Sequence, residues 1–365
     1  MKIVAVIPTW KGPYPIDQAG AKNVYVTTRD SKSVDVIDNQ KLKRIRTIRL
    51  THFPRSMGYN AAKKLAVVSG KKKALSTVIN TRSHQVVGRV GTDCETKRWW
   101  MGFGGSLATG HPFWVTDDKF LHIDRAHRKI DLYKVSGSHN RYRIYKLDSM
   151  KVATSVHHVI RVPNAKGRDK NRFYGIAEGA PLHGKSPAII AFELSGNKLK
   201  HKRTVHTPTK DATKTGSHHA SFHPDGKHIY LGSNEGYTYV INRLRMKVVT
   251  TIKTGKGNGH TTFIPGRMIG VSTNHDDRFM TIINAKTHKK ITDIYVSNKL
   301  SADKSRKTQS HTTSFDPKND RYVYSAASNE GRIFEIDLQT CKVKRTIQLK
   351  KGSYPIQGTF VWGTG

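Results

Sequence analysis

Cysteine is nearly absent: Cys94 and Cys341 are the only two in 365 residues. Two thiols cannot build a disulfide-rich scaffold, an iron–sulfur ferredoxin or a thiolate zinc ribbon. Acidic side chains are also scarce, with 26 Asp and Glu against 64 Lys and Arg and a formal charge of +38. Such an excess demands an anionic partner, an acidic milieu or both. No run of eighteen apolar residues occurs, so no helix is expected to span a membrane. The apolar stretch within Met1–Pro8 is about five residues long, too short for a secretory core. The expected compartment is the cytoplasm, or the periplasm or another extracytoplasmic space if the chain is a processed form.

Several catalytic signatures are missing too. No Gly-x-Gly-x-x-Gly lies between a strand and a helix; Gly102-Phe-Gly-Gly105 reads as a loop and Gly255-Lys-Gly-Asn-Gly259 as a turn. Neither His-Glu-x-x-His nor a Gly-x-Ser-x-Gly elbow is found, which sets aside zinc-protease and serine-hydrolase chemistry. What the chain does have is histidine, 19 of them, and an internal repeat.

Ser233-Asn-Glu-Gly-Tyr-Thr-Tyr-Val-Ile-Asn242 and Ser328-Asn-Glu-Gly-Arg-Ile-Phe-Glu-Ile-Asp337 are nearly the same ten residues. Looser copies end at Asp38, Asn80 and Asn284, and the intervals Ile37 to Ile79 and Ile241 to Ile283 are both 42 residues. The clearest unit predicts strands at Ala220–His223, His228–Gly232, Tyr237–Ile241 and Lys247–Ile252, with Pro224-Asp-Gly226 as a tight turn. Four strands per forty to fifty residues is the pattern of a propeller blade. Units starting near Asn23, Tyr59, His111, His158, His219, His260 and His311 make seven, the fourth carrying insertions around 164–170 and 180–186. The expectation is an all-β, seven-bladed propeller occupying residues 1–365 as one domain. Gln357–Trp362 has the character of an innermost strand, and Asn23–Ile48 supplies only outer strands. Pairing the two would close the ring with strands from both ends.

Asn23-Val-Tyr-Val-Thr27, Val34-Asp-Val-Ile-Asp38 and Ser217-His-His-Ala-Ser-Phe-His-Pro-Asp-Gly-Lys-His-Ile-Tyr230 resemble the YVTN family of seven-bladed propellers. The tryptophan–aspartate ending of WD40 repeats is absent. The resemblance covers most of the chain but implies architecture alone, since function lives in sites carried by the fold.

Aligned on their first strands, five units place His at its start: Gly110-His-Pro-Phe, Val156-His-His-Val, Ser217-His-His-Ala, Gly259-His-Thr-Thr and Ser310-His-Thr-Thr. In a propeller these positions share one mouth of the channel. His111, His157, His158, His218, His219, His260 and His311 are therefore predicted metal ligands. Imidazole suits copper, zinc, iron and nickel, and a set without Cys or Met favours copper, or else an anion pocket, over electron-transfer copper. The turns after the second strands add Glu178, Glu235, His275 and Glu330 as catalytic candidates, with Arg29 and Lys71–Lys73 beside them. A repeat can also copy a His that serves only local hydrogen bonding, but the doubled pairs exceed what a repeat requires. Strand alternation sends one member of each pair into the blade.

A His-lined propeller resembles the copper domains of nitrous oxide reductase and thiocyanate dehydrogenase, through His157-His158 or His218-His219 with His111, His260 and His311. That resemblance implies copper and oxidoreductase chemistry on a small inorganic molecule. The cupredoxin domain and its Cys-x-x-x-Cys motif are missing, so an electron-transfer copper is not expected. Propellers that hold a heme d1-type macrocycle over the same channel are the alternative. The non-enzymatic reading is a propeller subunit or scaffold of a multi-subunit redox complex.

The Trp99-Trp100 loop reads first as a plug on the ring and second as a docking patch. Basic residues are dispersed along the turns and outer strands with little aromatic interleaving, which disfavours sequence-specific nucleic-acid binding. An acidic protein partner or an anionic small molecule suits such a coat better.

Overall fold

A computed structural model describes residues 1–95, 107–138, 141–180, 183–209, 211–212, 215–217, 219–303, 306–316 and 318–358. The expectations for His218 and for the Trp99–Gly105 loop lie outside these residues. Twenty-eight strands form seven four-stranded antiparallel sheets, each a meander of consecutive strands, arranged as a seven-bladed β-propeller. By contacts the chain divides into two compact units. One, built mainly from Ala5–Arg161 and Lys166–Thr204, carries four blades (residues 13–49, 54–95, 113–151 and 156–206). The other, built mainly from Val205–Phe360, carries three (residues 220–253, 258–295 and 314–348).

The fifth blade shows why the repeat folds as it does. Its strands are Ala220–Phe222, His228–Ser233, Tyr237–Asn242 and Lys247–Lys253, within a residue of the sequence expectation. Gly236 sits at φ +94°, and its counterpart Gly331 in the seventh blade at +63°, a left-handed geometry that other residues adopt only at a cost. The recurring Asn-Glu-Gly triplet is therefore the turn between second and third strands. The second strand Leu65–Gly70 is buried at every position, because a neighbouring blade covers each face. Apolar clusters join adjacent blades: the first to the second through Tyr25, Val36 and Ile79, and the sixth to the seventh through Val271, Ile282 and Phe334.

Fourth strands differ. Lys43–Arg49, Lys198–His206 and Lys342–Gln348 are mostly exposed and densely basic. A fourth strand is a sheet edge with unpaired backbone groups, and lysine there discourages pairing with another chain. Part of the positive charge thus sits where it protects edges.

One expectation is corrected. The first blade is completed by Pro13–Gln18, which pairs antiparallel with Asn23–Thr28 through Ile16–Val26, Asp17–Tyr25 and Gln18–Val24. Closure through Gln357–Trp362 is not what completes this sheet; Gln357 and Gly358 form no strand, and Thr359–Trp362 lie outside the described residues. Pro13 and Pro15 hid the segment, since proline argues against a central strand. It is tolerated here because a first strand has one sheet neighbour only. The insertion expected at 164–170 is present and runs into a short 3-10 helix at Gly167–Asn171. No helix among the described residues is long and apolar enough to cross a membrane.

Candidate functional site

Each unit carries predicted ligands. In the three-blade unit, His219 directly precedes Ala220–Phe222, His260 lies in Asn258–Ile264, and His311 leads into Ser314–Asp316. His275 follows the strand Ile269–Asn274. Its backbone N–H donates to Gly257 O at 3.0 Å and its carbonyl accepts from Thr308 N at 2.7 Å. His275 is thereby fixed between the starts of two blades. The His311 N–H donates to Ile356 O at 2.7 Å.

These anchors bring four imidazoles together. Ring centroids are 3.4 Å apart for His219 and His260, 4.5 Å for His275 and His311, and 5.5 Å for His219 and His311. One ligating nitrogen from each of His219, His275 and His311 lies within 4.8 Å of the other two. His219 and His275 are buried and His311 is half-buried. Metal–imidazole bonds of about 2.0–2.1 Å hold three ligating nitrogens about 3.3–3.6 Å from one another, so loading needs a closure of up to about 1.5 Å. That is within reach of side-chain rotation.

Burial, with Lys307 and His260 adding repulsion, pulls the His275 imidazole down to about 3. It is therefore neutral across the physiological range, the form that binds metal. Because the folded value lies below the ordinary 6.5, the unfolded chain takes up this proton first. The contribution of His275 is complete above about pH 6.5 and is lost as pH falls toward 3, with a slope of up to about 1.4 kcal/mol per pH unit. Urea unfolding of wild type and His275→Gln between pH 7 and 4 should show that slope as the difference between them. Parallel profiles would contradict the burial of a neutral ring.

The four-blade unit holds the second group. His111 N donates to His157 O at 2.8 Å, and its ring centroid lies 4.8 Å from that of His157 and 6.1 Å from that of His158. His157 is buried and His158 half-buried. His157 Nδ1 stands 2.7 Å from Glu178 Oε1 and 2.9 Å from Arg55 Nη2. Glu178 also pairs with Arg125, whose Nε donates to Ser155 Oγ at 2.6 Å. Arg29 donates twice to Arg55 O, at 3.0 and 3.1 Å, and stacks 4.0 Å over the Tyr14 ring. Burial lowers Arg55 and Arg125 and lifts the Glu178 carboxyl, against the opposing pull of the two guanidinium groups.

Glu178 and His275 thus stand among the predicted histidines, each within its own unit. Glu330 is engaged elsewhere: Oε1 accepts from Ser297 Oγ (2.9 Å) and from Asn298 N (2.6 Å), and Oε2 pairs with Arg332. It braces the chain after the sixth blade. Glu235 accepts from Tyr239 Oη at 3.2 Å in its own turn. The sequence reading missed Arg55 and Arg125. Their signal was positional, since Arg55 is the second residue of its first strand (Pro54–Asn60) and Arg125 follows a second strand as Glu178 and His275 do.

His223, Asp225 and His228 form a third group of metal-type donors, in the Pro224–Gly226 turn. Here Asp225 N donates to His223 Nδ1 at 3.1 Å, and His223 Nε2 donates to Ala285 O at 2.9 Å. Both ring nitrogens are committed, so this cluster ties the turn to the next blade.

No family model matches the chain, and no curated protein matches it in sequence. Solved structures do. The chain is similar to the dihydro-heme d1 dehydrogenase NirN in complex with DHE, with a TM-score of 0.65 and 14% identity, over 94% of this chain and 66% of NirN. It is also similar to Sqt1 of Saccharomyces cerevisiae, with a TM-score of 0.69 and 10% identity, over 93% of this chain and 86% of Sqt1. At such identities the likeness shows the propeller fold. The chain spans just under two thirds of NirN. The YVTN resemblance rests on the quoted repeats alone.

Proposed function

We propose that this protein is a metal-binding propeller whose metal, copper, is held by His219, His275 and His311 and supports oxidoreductase chemistry on a small molecule. The observation carrying this reading is the convergence of three imidazole nitrogens within 4.8 Å, one of them on a ring kept neutral by burial. An all-imidazole set suits copper, which also stands highest in affinity among the divalent first-row metals. Three protein ligands leave a position for substrate, and bound copper would supply one-electron chemistry there. The chain's own part is to hold the rings at fixed separation and to keep His275 unprotonated. The basic surface suits steering of an anionic small molecule or docking of an acidic partner, as a subunit of a redox complex would require.

Copper titration followed by elemental analysis tests this. The expected result is one equivalent retained at neutral pH, with His275→Ala or His311→Ala lowering affinity by about a hundredfold or more. Less than one equivalent in the wild type would refute the reading. A heme-type macrocycle is the second reading, motivated by the fold shared with NirN. Visible absorption with intense porphyrin-type bands after reconstitution, in place of copper retention, would favour it.

A further inference from the structure

Arg55 is fully buried, yet its guanidinium makes one side-chain hydrogen bond, through Nη2 to His157 Nδ1. Nε and Nη1 reach no acceptor among the described residues. Even the one bond is contested. Nδ1 of His157 is also 2.7 Å from Glu178 Oε1, and a single ring nitrogen either donates to the carboxylate or accepts from Arg55. When it donates, Arg55 has no side-chain acceptor among the described residues. The charge is unbalanced as well. Arg55 and Arg125 share one carboxylate, Glu178, and Arg125 occupies it directly. Arg29, which adds its repulsion to Arg55, has Asp30 beside it, and Asp30 also pairs with Lys71 at 2.8 Å.

A buried guanidinium with orphaned donors is costly, and water would satisfy its hydrogens without balancing its charge. An oxyanion does both, since its oxygens accept from the fork that guanidinium presents. We infer that the four-blade unit binds a small oxyanion, an inorganic oxoanion or the carboxylate of a larger molecule, against Arg55, with Arg29 and Arg125 supplying the surrounding positive field. The metal reading rests on other residues, His219, His275 and His311.

Isothermal titration of the full chain with sodium sulfate and with sodium acetate, in chloride buffer at fixed ionic strength, tests the site. The expected result is binding of at least one of them with a Kd below about 1 mM, weakened at least tenfold in Arg55→Gln. Preference for sulfate points to a free inorganic oxoanion, and preference for acetate to a carboxylate-bearing molecule. Copper stoichiometry in Arg55→Gln should equal that of the wild type, which separates failure here from failure of the metal site. A second variant guards against misfolding. Arg55→Met, which removes the orphaned charge, should unfold in sulfate-free buffer at the wild-type urea midpoint or above, yet gain nothing from sulfate. No binding by either anion, equal binding in Arg55→Gln, or a strongly lowered midpoint in Arg55→Met would each overturn the proposal.

Discussion

Replacing Arg125 with Met is expected to cost about 3–5 kcal/mol. The reason lies in what it leaves behind. Glu178 is buried and pairs directly with Arg125. Without that partner the carboxylate must stay charged beside His157 and Arg55 or take up a proton, and either choice disturbs the hydrogen bonds around it. Arg125 also donates to Ser155 Oγ, which would lose its partner in the same stroke. Urea unfolding of wild type, Arg125→Met, Glu178→Gln and the double variant measures the coupling. The double variant should recover more than about 2 kcal/mol relative to additivity, since removing both charges is far less costly than stranding one. Additive losses within about 0.5 kcal/mol would mean that the pair behaves like a surface contact.

Gly259→Ala is expected to weaken copper binding by about a hundredfold while leaving the sheets in place. A methyl group at Gly259 would overlap His275 Nε2. The backbone cannot yield, because His275 is fully buried and tied to both Gly257 and Thr308, so the ring must turn. Overpacking of this kind costs about 1–3 kcal/mol and is relieved by rotating the imidazole away. Rotation takes one of three ligating nitrogens out of reach, so copper affinity should fall by about a hundredfold. Gly175→Ala is the control: its added methyl would meet Val156 at an ordinary 3.5 Å. Copper titration and far-ultraviolet circular dichroism on both variants decide the matter. Wild-type copper affinity in Gly259→Ala would remove His275 from the ligand set.

The fold was legible because its punctuation repeats. Ser-Asn-Glu-Gly recurs with its left-handed glycine, and the strands around it alternate with a period that no helix could use. The first strand of the first blade was not legible, because Pro13 and Pro15 imitate a loop while the sheet neighbour that admits them is a tertiary fact. The histidines were legible through their register, and His275 through its turn. What escaped was Arg55 and Arg125. Among 64 cations their type does not distinguish them; only their positions in the repeat do, and those were read chiefly for the histidines and carboxylates. Glu330 shows the converse, a carboxylate placed correctly on a turn and then consumed by the backbone of its neighbours.

That the first blade is assembled from contiguous residues bears on how the chain is made. Each of the seven sheets pairs only consecutive strands, so each can be finished once its own fourth strand has left the ribosome. Every sheet contact is then local in sequence, which favours rapid, stepwise acquisition of structure during synthesis. A propeller latched by a strand from its far end would instead keep an open edge exposed until translation was complete. Here basic fourth strands such as Lys43–Arg49 and Lys342–Gln348 emerge last within their blades and shield the new edge as it forms. The nascent chain thus meets the crowded cell one protected sheet at a time.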